Sequence, residues 1–213
     1  MSVSSSLRAP LAAALLLIFA GAHAATDRVK QVSELAEAQG DRLEATFKHL
    51  HANPELGFHE TETAKLVSKR LKKLGYQVHS GIGGTGVAAV LKNGDGPVVM
   101  FRSDMDGLPV KEDTGLDYAS RKQVTLDDGG KAHVAHACGH DAHVSWLLGI
   151  AEVMRETRDA WAGTLVLIAQ PAEELIQGAQ AMVDDGLYDR VPKPELLILS
   201  LIHISEPTRR TPI

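Results

Sequence analysis

Residues 136–143 read His136-Ala137-Cys138-Gly139-His140-Asp141-Ala142-His143, which places three histidines, one cysteine and one aspartate in eight positions. Imidazole and thiolate are the usual ligands of zinc and its neighbours. Cys138 and His140 are two apart, so in an extended or looped backbone both side chains point the same way. Gly139 between them permits a tight turn. Asp141 falls at the start of a following helix, where a carboxylate can cap free N–H groups. The pattern points to a metal site. Its plain alternative is a hydrogen-bonded polar loop around a buried thiol.

A second group, Gln170-Pro171-Ala172-Glu173-Glu174, directly follows the apolar run Thr164–Ala169. In open α/β sheets, sites gather at the carboxyl ends of strands. Adjacent glutamates in an extended backbone face opposite ways, so one can ligate a metal while the other faces the attacking water. That division suits metal-assisted hydrolysis, in which the metal acidifies water and a free carboxylate takes its proton. Alone, the pair would read as a solvated acidic helix start. The third group, Arg102-Ser103-Asp104-Met105-Asp106-Gly107, also follows an apolar strand, Val98–Phe101. Asp104 and Asp106 alternate onto one face, where either could be a ligand or an acceptor that orients a ligating histidine.

The elements that must hold these groups are legible from periodicity. Helical spacing runs from Asp27 to His51, weakened at Gly40 and ended by Asn53-Pro54, and again from Thr61 to Leu74, stopped by Gly75. Strands are expected at Tyr76–His79, Val87–Leu91, Val98–Arg102 and Thr164–Ala169, and helices at Val144–Arg158 and Ala179–Asp185. Strands alternating with helices predict an α/β fold with a largely parallel sheet flanked by helices. Gly81-Ile82-Gly83-Gly84-Thr85-Gly86 matches G-x-G-x-x-G literally. However, a strand follows it, where a dinucleotide fingerprint needs a helix, so it reads as a tight turn between strands.

Composition narrows the partners. The chain has 213 residues, 44% of them hydrophobic, and a net charge of -5. That is one domain, or one and part of another, and too apolar for disorder. The negative balance and 4% aromatic content exclude a nucleic-acid binder. Arg8, the apolar run Leu11–Ala22 and the small residues of Ala22-His23-Ala24 predict a signal peptide over residues 1–24. The mature chain would then be secreted or periplasmic and not membrane-bound. Export makes the single cysteine notable, since an unpaired thiol there needs something to hold it. From Leu199 the chain reads LSLIHISEPTR, which resembles a translated transposase-type sequencing adapter through Arg209. Residues 199–213 are therefore expected to be a non-native read-through tail, the alternative being a genuine strand, LLILSLIHI. Residues 25–198 would form the domain proper.

In order along the chain, HLHANPELGFHETETA, GGTGVAAVL, RSDMDGLPV, HACGHDAH, and QPAEE with GAQAMVDDG run from His49 to before Pro194. Together they resemble the metallopeptidase family of aminoacylases, carboxypeptidases and N-acyl-amino-acid amidohydrolases, in the branch of hippurate hydrolase and the auxin-conjugate hydrolases. The resemblance implies the N-terminal part of a zinc-exopeptidase-like catalytic domain with two divalent ions, zinc or manganese. It also implies Cys138, His140 and Glu174 as metal ligands, Glu173 as general base and Asp106 as the acid that supports the metal centre. Asp104 stands where many relatives carry a ligating histidine; His136 and His143 receive no role. The branch carries a further histidine ligand at about position 201, where this chain has Leu201. The last histidine ligand and the lid domain that usually mediates dimerisation have no counterpart here. The implied activity is hydrolysis of the amide of an N-acyl amino acid or small peptide by a parent that forms a homodimer, with this fragment alone inactive. A non-catalytic metal- or ligand-binding module of the same fold is the alternative, and a cysteine nucleophile at Cys138 paired with His140 or His136 a third reading.

Overall fold

The computed structural model describes residues 26–126 and 128–200. The expected signal peptide therefore lies outside the described residues, as does the expected tail beyond Ser200. Residues 26–38 form helix α1, in a unit that ends at Gln39. The single helix expected over Asp27–His51 is thus two, because a turn at Gln39 precedes Gly40, whose missing side chain lowers helix propensity. The inward stripe expected for the first half is also absent: Val29 and Val32 are exposed.

The second unit starts at Gly40. Its elements are α2 (Gly40–Ala52), α3 (Thr61–Lys73), β1 (Gln77–Ile82), β2 (Gly86–Asn93), β3 (Val98–Asp104), β4 (Gln123–Thr125), β5 (Lys131–His133), α4 (His140–Glu156), β6 (Gly163–Gln170), α5 (Gly178–Asp184), α6 (Leu187–Arg190) and β7 (Leu196–Leu199). Five strands form one sheet in the order β1-β2-β6-β3-β7. β3 pairs in parallel with both β6 and β7, and β2 is antiparallel to both β1 and β6. Four strands therefore share one direction and β2 alone opposes them. β4 and β5 make a separate antiparallel hairpin that periodicity did not reveal, because each is only three residues long.

β2 and β6 are almost continuously apolar because both faces of the sheet are covered. Val87, Ala89, Leu91, Leu165, Leu167 and Ala169 meet Leu50, Val67, Leu71, Val144, Leu147 and Ala151 of the helices on one face. The alternate residues Ala88, Val166 and Ile168 join Ile82, Met100, Met182, Leu187 and Val191 on the other. The Gly-rich segment after β1 is a hairpin turn into β2, as its sequence implied. A side chain at Gly83, which has φ 62°, would place its Cβ 2.5 Å from the backbone nitrogen of Met182. Among the described residues no helix is long and apolar enough to cross a membrane.

The parallel strands β3 and β6 end side by side, with Asp104 opposite Gln170. The polar segments that follow both strands thus emerge at the same edge. α4 begins there too, a full turn before Val144, because Gly139 takes a left-handed N-cap (φ 76°, ψ 23°) and lets His140 open the helix.

Candidate metal centre

His140 is the hub. Its side chain is fully buried, and Nδ1 lies 2.7 Å from the carbonyl oxygen of Asp106 and 3.2 Å from its Oδ1. An Nδ1–H that donates to this carbonyl leaves Nε2 with its lone pair free, as in histidines that bind metals. Nε2 has no hydrogen-bond partner among the described residues and sits 3.7 Å from Glu173 Oε2. His140, Glu173 and Glu174 offer donor atoms within 4.8 Å of one another. Asp104, His140 and His143 do the same.

Asp106 ties these pieces together. Its Oδ2 accepts the Glu174 N–H at 3.0 Å while its other oxygens face His140. Burial pushes the Asp106 carboxyl up, but the His140 hydrogen bond and the Glu174 N–H outweigh it and hold it below the ordinary carboxylate value. For His140 burial likewise opposes protonation, and the Asp106 hydrogen bond and the Asp104 charge override it, so the ring is held above its usual value. Glu173 is raised, first by burial and then by the Asp104 charge. Asp104 is itself raised by burial, against the pull of Arg102, which donates from Nε at 3.0 Å and from Nη2 at 2.8 Å.

Sequence reasoning placed Glu173 and Glu174 on opposite faces of an extended backbone. Instead, the chain leaves β6 and turns, with positive φ at Ala172 (46°) and Ile176 (57°), so both carboxylates converge on His140. Gly178 closes this turn so tightly that a Cβ there would lie 1.6 Å from the Pro171 carbonyl oxygen. Cys138 is exposed, outside the start of α4. The nearby Glu174 carboxylate, together with burial, pushes its thiol up to about 11, and among the described residues Cys138 is not one of the donors that gather around His140.

His136 and His143 are buried neutral rings, lowered to about 4 chiefly by burial. Neither nitrogen of His136 has a partner among the described residues. His143 packs between the rings of His140 and Trp146, at centroid distances of 5.1 and 5.5 Å. Asp141 caps only the next N–H, that of Ala142, and spends its other oxygen on His51 at 2.6 Å.

Sequence reasoning assigned no role to several supporting groups. Glu55 caps α3 from outside the helix, accepting the N–H groups of Thr63 (2.8 Å) and Glu62 (3.2 Å). Glu60, with no exposed surface, accepts the Ala172 N–H at 2.8 Å and the Thr85 hydroxyl. The only signal of either in the sequence is the density of acids and hydroxyls over residues 55–63.

The residues fit a divalent cation. Four carboxylates, those of Asp104, Asp106, Glu173 and Glu174, gather at one imidazole, and the Arg102 guanidinium pairs with only one of them. Nε2 of His140 and Oε1 of Glu174 are buried and lack partners among the described residues. Carboxylate and imidazole together form a donor set suited to a divalent cation.

An α/β sheet whose strand ends deliver this donor set defines a candidate metal-site protein. The chain belongs to peptidase family M20/M25/M40, whose sequence profile matches residues 100–212. It is similar to hippurate hydrolase of Campylobacter jejuni, 43% identical over 160 residues, which cover 75% of this chain and 39% of that protein. It is also similar to N-acetyl-L-cysteine deacetylase of Bacillus subtilis, 39% identical over 68% of this chain and 33% of that protein. Among solved structures it resembles a dinuclear metal binding peptidase of the M20 family from Bacillus subtilis. That match has a TM-score of 0.64 and 35% identity, and covers 73% of this chain and 42% of that one. The chain thus spans about a third to two fifths of the length of these relatives.

Proposed function

We propose that this chain carries the metal ligands and general base of a metal-dependent amidohydrolase that cleaves the amide of an N-acyl amino acid or small peptide. The observation that carries this reading is the convergence of His140, Glu173 and Glu174 at the ends of β3 and β6. His140, Glu174 and Cys138 would hold a divalent ion, zinc or manganese, with a second ion completed by groups beyond those described. When bound, the cation supplies the charge that acidifies a water and polarises the amide carbonyl. Glu173 is the base. Its carboxylate is partly exposed and faces the cluster without the pairing that immobilises Asp104 and Asp106. Its raised proton affinity suits taking a proton from water and passing it to the leaving amine. Asp106 orients His140 through Nδ1 and Glu174 through its backbone. We propose further that the chain is exported after loss of residues 1–24 and works within a homodimeric parent.

A cysteine nucleophile fits poorly. The nearby Glu174 carboxylate and burial raise the proton affinity of the Cys138 thiol, whereas a nucleophile needs the thiolate. A metal-binding module without catalysis needs no base, and the position of Glu173, facing the cluster without a fixed partner, supports the catalytic reading.

Two substitutions in the enzyme that contains this chain test the roles. Glu173→Gln is expected to lower turnover of N-acyl amino acids by about a hundred- to ten-thousand-fold with metal content unchanged by elemental analysis. Glu174→Gln is expected to lower metal content. Equal metal loss in both variants would overturn the assignment.

A further inference from the structure

A second polar cluster is built around His51, near the C-terminal end of α2. Its Nδ1 lies 2.6 Å from Asp141 Oδ2 and its Nε2 lies 3.0 Å from Glu112 Oε1. Side-chain exposure is only 13% for His51, 6% for Glu112 and 2% for Asp141, so solvent screens the contacts weakly. An ionised carboxylate only accepts hydrogen bonds, so a ring with one on each nitrogen satisfies both only when both nitrogens carry protons.

Each carboxylate is fixed by other bonds. Glu112 Oε2 accepts the Ser120 N–H at 2.5 Å, and the Ser120 hydroxyl donates at 2.6 Å to the carbonyl of Val134, two residues before His136. Asp141 Oδ1 accepts the Ala142 N–H at 2.8 Å within the first turn of α4. The rings of Phe47 and Tyr118 flank the imidazole at 5.5 and 5.3 Å and set its plane. The charged and titratable groups around it are Glu112, Asp141, Tyr118, Lys48 above Tyr118, and the neutral His136.

We propose that His51 is a positioning residue: held as an imidazolium between Glu112 and Asp141, it ties the 112–120 loop to the first turn of α4 and so fixes the bearing of His140. The coupling is short, since Asp141 is the neighbour of His140 and His140 opens the helix. With His51 neutral or absent, two buried carboxylates lose their shared cation and the loop loses its tie to α4. The clamp itself needs no metal; its importance to catalysis rests on the function proposed above.

The test uses the nitrogen-15-labelled 213-residue protein without added metal. Long-range proton–nitrogen spectra are expected to show His51 mostly protonated on both nitrogens at pH 6.5, the ordinary midpoint, because its folded midpoint is raised. A neutral ring at pH 6 would overturn the proposal. In His51→Gln, the His140 side-chain resonances are expected to shift; a folded variant with His140 unmoved would overturn the positioning role. Should His51→Gln fail to fold, Glu112→Gln serves instead. It keeps an acceptor for Nε2 but removes one charge, so the His51 midpoint should fall, and an unchanged midpoint counts against the clamp. Cobalt(II) then reads the consequence. Affinity in His51→Gln is expected to fall a few-fold, at or below the low end of the roughly 10- to 100-fold lost when a group that directly supports a ligating histidine is removed. Unchanged affinity contradicts the positioning role. Failure of the unaltered protein to take up cobalt contradicts the metal reading instead, and leaves the clamp to be decided by the nitrogen shifts.

Discussion

At the scale of single residues, the centre depends on side chains that touch nothing catalytic. Glu60 is a fully buried carboxylate that accepts from Ala172, the left-handed residue at which the chain turns out of β6 towards Glu173. Burial raises its proton affinity, against the opposing bonds from Thr85 and Ala172. Glu60→Ala leaves a buried N–H and a hydroxyl without their acceptor, a loss of roughly 1–3 kcal/mol for each unsatisfied group. Urea denaturation should therefore show a clear fall in stability for Glu60→Ala. Glu60→Gln keeps an acceptor for Ala172 and should lose less. Equal losses in the two variants would mean that the carboxylate matters for charge rather than for its hydrogen bonds.

At the scale of elements, the geometry of the centre is set by where two parallel strands end and how the chain leaves them. Asp104 and Gln170 are register partners, so the loop holding Asp106 and the turn holding Glu173 and Glu174 start from the same edge. The turn then closes on the start of α5 through Gly178, with no room for a side chain against Pro171. Gly178→Ala must push this turn outward, because the obstruction is backbone and cannot rotate away. Since Glu174 rides on the turn, zinc affinity by competition with a chromophoric chelator should fall. Gly129→Ala is the comparison: Gly129, unlike Gly178, has positive φ (81°), so the change strains the backbone, but its Cβ would meet nothing within 4 Å. A loss confined to Gly178→Ala ties the effect to the turn.

At the scale of the whole molecule, the buried imidazoles make stability depend on pH. His136 and His143 hold folded midpoints near 4, against 6.5 in an unfolded chain. Between those values the unfolded chain binds protons that the folded one refuses, so stability falls as pH drops from about 6.5 to about 4 and levels off below. Each ring contributes at most on the order of 3 kcal/mol across that window. His51 acts in the opposite sense: its folded midpoint is raised, so its contribution is complete below 6.5 and is lost as pH rises through the folded value. Thermal melts of metal-free protein should therefore drop between pH 6.5 and 4, by less than these two rings alone would give, because the raised carboxyls of Glu60, Asp104 and Glu173 take up protons in the folded chain over part of that range. His136→Asn, which carries no titrating group, should flatten part of that slope. A slope unaffected by His136→Asn would place the proton uptake elsewhere.

Much of this was legible in the sequence because it is local. The strand–helix alternation, the hairpin reading of Gly81–Gly86, and the choice of His140, Glu173 and Glu174 as metal-type donors all follow from residue type and local context. Their physics is confined to a few residues of backbone: periodicity, turn chemistry and donor type. The long-range arrangement was decided only by the tertiary structure. Nothing in the order of residues says that β2 opposes the other strands of the sheet, or that positive φ at Ala172 turns both glutamates the same way. Nor does it say that Glu60 reaches Ala172 across 112 positions and His51 reaches Asp141 across 90. Such pairs carry no local signature, because a carboxylate or imidazole chooses its partner only after burial removes water as the alternative and the sheet has brought distant segments within hydrogen-bond reach.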